Sequence, residues 1–101
     1  EDAFRHTHLT YLARAYVGGG EYAQALDRAR HAIRRAPAYA PAHYMSGIAL
    51  AHLGRLDEAR SALAVCDELQ AGFVRSRKDW RPYTDDARNR ELTDGYRKIV
   101  P

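Results

Sequence analysis

Two stretches of this chain share one pattern, 34 residues apart: residues 9–32 have the sequence LTYLARAYVGGGEYAQALDRARHA and residues 43–66 have HYMSGIALAHLGRLDEARSALAVC. In each, a bulky, a small and a second bulky residue precede a glycine, which is followed by an apolar residue and two further small positions. Such a period is typical of a repeat protein built from pairs of short helices. The equivalent positions are Leu9, Ala13, Tyr16, Gly20, Tyr22, Ala25 and Ala32, then His43, Gly47, Leu50, Gly54, Leu56, Ala59 and Cys66.

Glycine and proline predict where the helices around these stretches end. Gly18–Gly20 lacks three side chains in a row, which favours a tight turn over a continuing helix. The residue before Pro37 is disfavoured in the α region, so the second helix ends there. The five predicted helices span about Asp2–Val17, Glu21–Arg35, Pro41–Leu53, Leu56–Ala71 and Thr84–Val100.

The repeat pattern stops at the end of the second copy. We predict that residues 74–83 form a connector without helical periodicity and that residues 84–100 form a capping helix. A capping helix has to cover the apolar face that the last repeat exposes. The apolar stripe suited to this task consists of Leu92, Tyr96 and Ile99.

Length and composition limit the possible fold class and the cellular location of the chain. Its 101 residues allow one small domain (1–101), and the absence of alternating apolar runs favours an all-α fold. No apolar stretch is long enough to cross a membrane. Cys66 cannot form an intrachain disulfide and is interpreted as a buried structural thiol, which suits a cytoplasmic location. Because the chain does not begin with Met, we expect it to be a processed product or a piece of a longer polypeptide.

The net charge of +3 comes mainly from arginine and leaves an acidic partner open. Nucleic-acid binding is disfavoured, because a nucleic-acid footprint needs its cations gathered on one face. The cations of the second helix instead surround it and are interpreted as a solvated surface, as is a second basic stretch at residues 75–81. The helical set comprises Arg28, Arg30, Arg34 and Arg35.

We predict no catalytic, metal or cofactor site. The glycines at 18–20 lack the spacing and the Lys-Ser/Thr of a phosphate-binding loop. His6 and His8 lie on different sides of a helix, whereas a metal site needs three or four convergent ligands. The acidic pairs consist of neighbours that point in different directions on a helix: Asp57-Glu58, Asp67-Glu68 and Asp85-Asp86.

The two copies resemble the tetratricopeptide repeat, a helix pair with small residues where the helices cross. Residues 6–39 match at Leu9, Leu12, Ala13, Tyr16, Gly20, Tyr22, Ala25, Ala32 and Pro37, and residues 40–73 match at Tyr44, Gly47, Leu50, Gly54, Leu56, Ala59 and Leu63. The second copy departs at His43, Ser46 and Ala71, where a large apolar residue, leucine and the closing proline are usual.

This resemblance implies an α-α superhelix of two helix-turn-helix repeats, with the first helix of each pair lining a concave groove that binds a peptide or a protein. Repeats that clamp the carboxyl terminus of a chaperone use Lys, Asn and Arg, and only Arg14 is comparable here. The groove residues implied are Thr7, Thr10, Tyr11, Arg14, Val17, Tyr44, Met45, Ile48, Ala51 and His52.

Two questions about this groove stay open at the level of sequence. Tyr11, Tyr44 and Met45 either face a partner or pack against neighbouring helices, because apolar residues at helical spacing are usually core. His52 either contacts a partner in a pH-dependent way or is a solvated histidine at a helix end.

The last segment looks like the tail that follows tetratricopeptide repeats in bacterial class III adenylate or guanylate cyclases. The resemblance is carried by Arg81–Asp85 and by Leu92–Pro101, although Ile99-Val100 replaces a stretch that usually contains glycine. It implies a regulatory C-terminal module whose catalytic domain lies outside these residues. The leading hypothesis is a non-enzymatic protein-interaction module of a larger signalling protein. Self-association is the alternative, since about three repeats are usually needed for stability.

Overall fold

The structure, a computed structural model, describes residues 4–100, and the regular elements within that range are all helices. This confirms the all-α class and the arrangement in helix pairs. The predicted start of the first helix at Asp2 lies outside the described residues, as does Pro101. The helices are α1 (Arg5–Gly18), α2 (Tyr22–Arg35), α3 (Ala40–His52), α4 (Leu56–Leu69), α5 (Phe73–Ser76) and α6 (Asp86–Ile99).

The turns inside the two helix pairs have the same geometry. Gly20 and Gly54 adopt φ of 77° and 80°, a region that favours glycine. After α1, the Glu21 N–H donates to the Tyr16 carbonyl at 2.8 Å, and after α3 the Arg55 N–H donates to the Leu50 carbonyl at 3.0 Å. Both helices therefore end in a Schellman-type cap, which explains why glycine recurs at this position.

Small residues let the paired helices approach closely. A Cβ atom added to Gly47 in α3 would lie 2.7 Å from the Cδ2 atom of Leu63 in α4. Ala13, Ala25 and Ala59 are fully buried at the corresponding crossings. Small residues recur at this spacing because these positions lie where the paired helices contact each other.

The region after α4 differs from its predicted form in two ways. Helix α4 ends at Leu69, before its predicted end at Ala71, and Gly72 turns the chain with φ of 83°. The predicted connector region then begins with α5, whose first residues, Phe73 and Val74, are buried. The Asp67 carboxylate accepts the Val74 N–H at 3.0 Å. Burial of two apolar residues and this bond hold a helix that is too short to show periodicity.

Helix α6 forms where the capping helix is predicted, and it packs on more than the last helix pair. Its stripe of Leu92, Tyr96 and Ile99 is buried as predicted. The helix packs chiefly on α3 and α1 and less extensively on α4. It therefore lies across the first helices of both pairs, which form the predicted groove, rather than only on the last pair. The repeat limits 6–39 and 40–73 stay predictions.

Candidate functional site

The structure divides the predicted groove into an open part and a covered part. The open part surrounds a cavity of about 150 Å³ between α1, α3 and α5. Six predicted groove residues line it: Thr7, Thr10, Tyr11, Arg14, Tyr44 and Met45. The lining is completed by Tyr39, Pro41, Phe73, Arg77 and Trp80.

The covered part contains the other four predicted residues. Val17, Ile48 and Ala51 are buried in the core. Helix α6 approaches this region closely, since a Cβ atom on Gly95 would lie 2.7 Å from Ile48 Cγ2. The surface that a partner can reach is consequently smaller than the sequence indicates.

His52 belongs to a polar contact between α3 and α6. Its side chain is 6% exposed, and Nε2 donates to the Glu91 backbone carbonyl at 2.6 Å. The ring stacks on Tyr22 with centroids 4.3 Å apart, and the Tyr22 hydroxyl donates to Glu91 Oε1 at 2.6 Å. His52 is therefore not a solvated residue at a helix end, because Tyr22 and α6 cover most of its side chain, and its contact with a partner stays a prediction.

Aromatic side chains form the floor and the rim of the cavity. Tyr44 and Met45 are buried against neighbouring helices and also line the cavity, and their contact with a partner stays a prediction. Tyr44 meets Phe73 and Trp80 edge to face, with centroids 5.7 and 6.0 Å away. Burial raises the pKa of Tyr44, while Arg77 acts in the opposite direction. Tyr11 lies at the rim and is 56% exposed.

Two arginines reach this aromatic cluster, one from α1 and one from the residue that follows α5. The Arg14 guanidinium lies 4.8 Å from the ring centroids of both Tyr11 and Tyr83, and its Nε donates to the Tyr83 hydroxyl at 3.2 Å. The Arg77 guanidinium lies 4.1 Å from the centroid of Phe73. Both are over Trp80, at 5.8 Å and 4.8 Å respectively. These distances are those of cation-π contacts, which orient a guanidinium without neutralising it.

Five lining residues were missed by sequence analysis. Tyr39 and Pro41 precede or begin α3, and Phe73, Arg77 and Trp80 come from the segment after α4. The basic stretch at 75–81 was interpreted as solvated, but its Arg77 is partly buried in the cavity wall. The alternation of arginine with a tryptophan in that stretch was the one available signal, because it is the composition of a cation-π cluster.

The single cysteine has a structural contact. Cys66 is buried, as predicted, and its Sγ donates to the Ala40 carbonyl at 3.4 Å. Burial raises the pKa of this thiol to about 12. Across residues 4–100, no three His, Cys, Asp or Glu side chains are grouped to hold a metal ion. Within the same range, no helix combines the length and the apolar character that a membrane span requires.

Comparison with known protein families gives a match to part of the chain. The family model described as tetratricopeptide repeat matches residues 16–72, more than half of the chain. Neither a curated protein nor a solved structure shows significant similarity to this chain.

Proposed function

The chain belongs to the tetratricopeptide repeat family, and we propose that it is a protein-interaction module that binds one segment of its partner in the cavity between α1, α3 and α5. Repeats of this family typically bind proteins or peptides and are generally not catalytic. The segment is a peptide or an extended stretch of a larger protein. Helix α6 restricts it to the end of the groove near Tyr11.

The accessible cavity is the observation that supports this proposal. Six of the residues that the family resemblance places in the groove surround it. Its volume of about 150 Å³ is close to that of an engineered apolar cavity known to bind benzene, so one ring-sized side chain fits. An apolar floor with polar groups at the rim is the usual composition of a ligand site.

A peptide-display selection tests the proposal. Peptides selected on the whole chain should lose at least about tenfold in affinity when Tyr11 is replaced by alanine, because a rim aromatic supplies much of the contact area. Tyr11→Ala should retain the helical circular dichroism spectrum, since this side chain is largely exposed.

Val65→Ala is the matched control, because Val65 is an exposed apolar residue of α4 outside the cavity. Its affinity for the same peptides should equal that of the unmodified chain. Selected peptides that depend on Val65 and not on Tyr11 would place the binding surface elsewhere.

Self-association is a second candidate, favoured by the exposed apolar side chains of Val65 and Leu69 on α4. A partner copy that covers them would add the contacts that further repeats normally supply. Light scattering over a dilution series measures this. A chain that stays monomeric and folded throughout would eliminate the idea.

A third element of the proposal is that the chain is the C-terminal regulatory part of a larger bacterial signalling protein such as a nucleotide cyclase. It rests on the tail resemblance alone. The described tail residues also have contacts within the domain, since Asp85 caps α6 and Gly95 packs against α3. The coding sequence upstream of Glu1 tests this proposal, which requires a catalytic domain there.

A further inference from the structure

We propose that the cavity selects an acidic peptide segment, in which Arg14 and Arg77 bind a side-chain carboxylate while a neighbouring large apolar side chain fills the cavity. This inference rests on the proposed function and adds the chemistry of the ligand to it. The carboxylate is that of an aspartate or glutamate within the segment.

The charge around the cavity is unbalanced. Its lining contains two arginines and no acidic residue. In the part of the chain that the structure describes, no carboxylate lies within 4.0 Å of either guanidinium, whereas Arg55, Arg60 and Arg88 each pair with an acid three residues away. Two like charges facing one ring repel each other, and a bound anion relieves this repulsion for both.

The Arg77 side chain is held in position for such a ligand. Its guanidinium lies against the rings of Phe73 and Trp80, and Nη1 donates to the Ser76 hydroxyl at 3.1 Å. The Nε atom is buried and has no hydrogen-bond acceptor. A guanidinium has five N–H donors in a planar fork that matches a carboxylate, and a fork held by aromatic rings loses little freedom on binding.

The apolar part of the ligand follows from the rest of the lining. Tyr44, Met45 and Phe73 surround a space that accommodates one aromatic or branched side chain. Because Arg14 and Arg77 approach this same space, the carboxylate and the apolar group belong on adjacent or nearby residues of one segment. A chain with a net charge of +3 also attracts acidic segments at long range.

Titration of the whole chain with defined peptides tests the inference, with Trp80 as the reporter because it is the only tryptophan and lines the cavity. The peptides are short, blocked at both ends, and carry a central phenylalanine flanked by glutamates or by glutamines. We expect the glutamate peptide to bind about tenfold more tightly, with the difference shrinking as salt is added.

The outcomes separate the inference from the proposed function. Equal affinity of the two peptides would overturn the acidic preference and leave docking in the cavity intact. Failure of both peptides to bind would also overturn it, whereas the proposed function is judged by the display selection. Tighter binding of a glutamine peptide with a free carboxyl terminus than of the glutamate peptide would show that a chain end, not an acidic side chain, is the ligand.

Arg77→Gln and Arg75→Gln form a matched pair of variants at the end of α5. Arg75 is exposed and lies outside the cavity lining. Arg77→Gln should weaken the tenfold preference for the glutamate peptide, leaving only the part that Arg14 contributes, and Arg75→Gln should preserve the full difference. Unchanged binding of the glutamine peptide shows that Arg77→Gln is folded. An undiminished glutamate preference in Arg77→Gln would overturn the assignment.

Discussion

At the scale of single residues, Gly95 has a packing role that a helix interior does not normally give to glycine. A Cβ atom at this position would lie 2.7 Å from Ile48 Cγ2 and 3.0 Å from His52 Nε2. Alanine favours helix by about 1 kcal/mol over glycine. The clash with buried side chains of α3 acts against that gain.

We predict that Gly95→Ala lowers the free energy of unfolding by about 1–2 kcal/mol, because overpacking of a well-filled contact costs about 1–3 kcal/mol. Urea denaturation measures the change. Asp94→Ala is the control, since Asp94 is an exposed neighbour on the same helix and its replacement should change stability by less than about 0.5 kcal/mol. A stabilised Gly95→Ala would mean that α3 and α6 separate at no cost.

Tyr22 makes the stability of the chain depend on pH. The hydrogen bond to Glu91 and burial raise its pKa to about 12 from an ordinary value of 10. The folded state thus holds this proton more tightly than the unfolded state does. The stabilising contribution of Tyr22 is fully present below pH 10 and is lost as the pH rises to about 12.

Tyr22→Phe should therefore have two effects. At neutral pH it should lower the free energy of unfolding by about 1–2 kcal/mol, through loss of a hydrogen bond to a carboxylate. Above pH 10 its stability should fall less steeply than that of the unmodified chain. Denaturation at several pH values measures both effects, with Tyr11→Phe, which lacks only an exposed hydroxyl, as the control. Parallel pH curves would contradict this interpretation.

At the scale of helices, the beginning of α6 is marked by one side chain. The Asp85 carboxylate accepts the Ala87 N–H at 2.9 Å, as expected for an N-cap. Asp85→Ala should lower the free energy of unfolding by about 1 kcal/mol. Hydrogen exchange should show the loss first in the α6 amides. Thr84→Ala, which changes the exposed residue before Asp85, is the control and should leave hydrogen exchange unchanged. Equal effects of Asp85→Ala and Thr84→Ala would contradict the role of Asp85 as the N-cap.

Some helices and turns were predictable from the sequence and others were not. The turns at Gly20 and Gly54 were predictable because their backbone conformation favours glycine. The stripe of Leu92, Tyr96 and Ile99 indicated which side of α6 is buried, but periodicity contains no information about which helices cover it. Helix α5 has four residues, fewer than the pattern needs to become visible.

The candidate site was predictable to a similar extent. The register of α1 placed Thr7, Thr10 and Tyr11 on one face, and the structure brings these residues to the cavity. Arg77 and Trp80 join them only because the chain turns back after α4, and a segment without periodicity does not indicate its path. The predicted groove included His52, because the sequence does not indicate that α6 extends over the first helices of both pairs.

At the scale of the whole molecule, α6 connects the two helix pairs, because it packs on α1 and on α3. We expect the domain to unfold in one step. Leu92→Ala should lower the free energy of unfolding by about 2–5 kcal/mol, as for other buried leucines. Trp80 fluorescence and far-ultraviolet circular dichroism should still report one coincident transition.

Lys98→Ala is the control for this prediction, because Lys98 is exposed on the same helix. Its stability should stay within about 0.5 kcal/mol of the unmodified chain. Two separate transitions in Leu92→Ala would contradict the single cooperative unit and show that α6 detaches by itself.

The position of α6 gives the groove a permanently tethered competitor. A segment joined to its site by a short linker has an effective concentration there on the order of millimolar. A free helix directed at Ile48 and His52 must therefore bind far more tightly than α6 to displace it. A short segment that enters beside Tyr11 meets no such competition, so the length of a partner segment, as well as its chemistry, decides whether it binds.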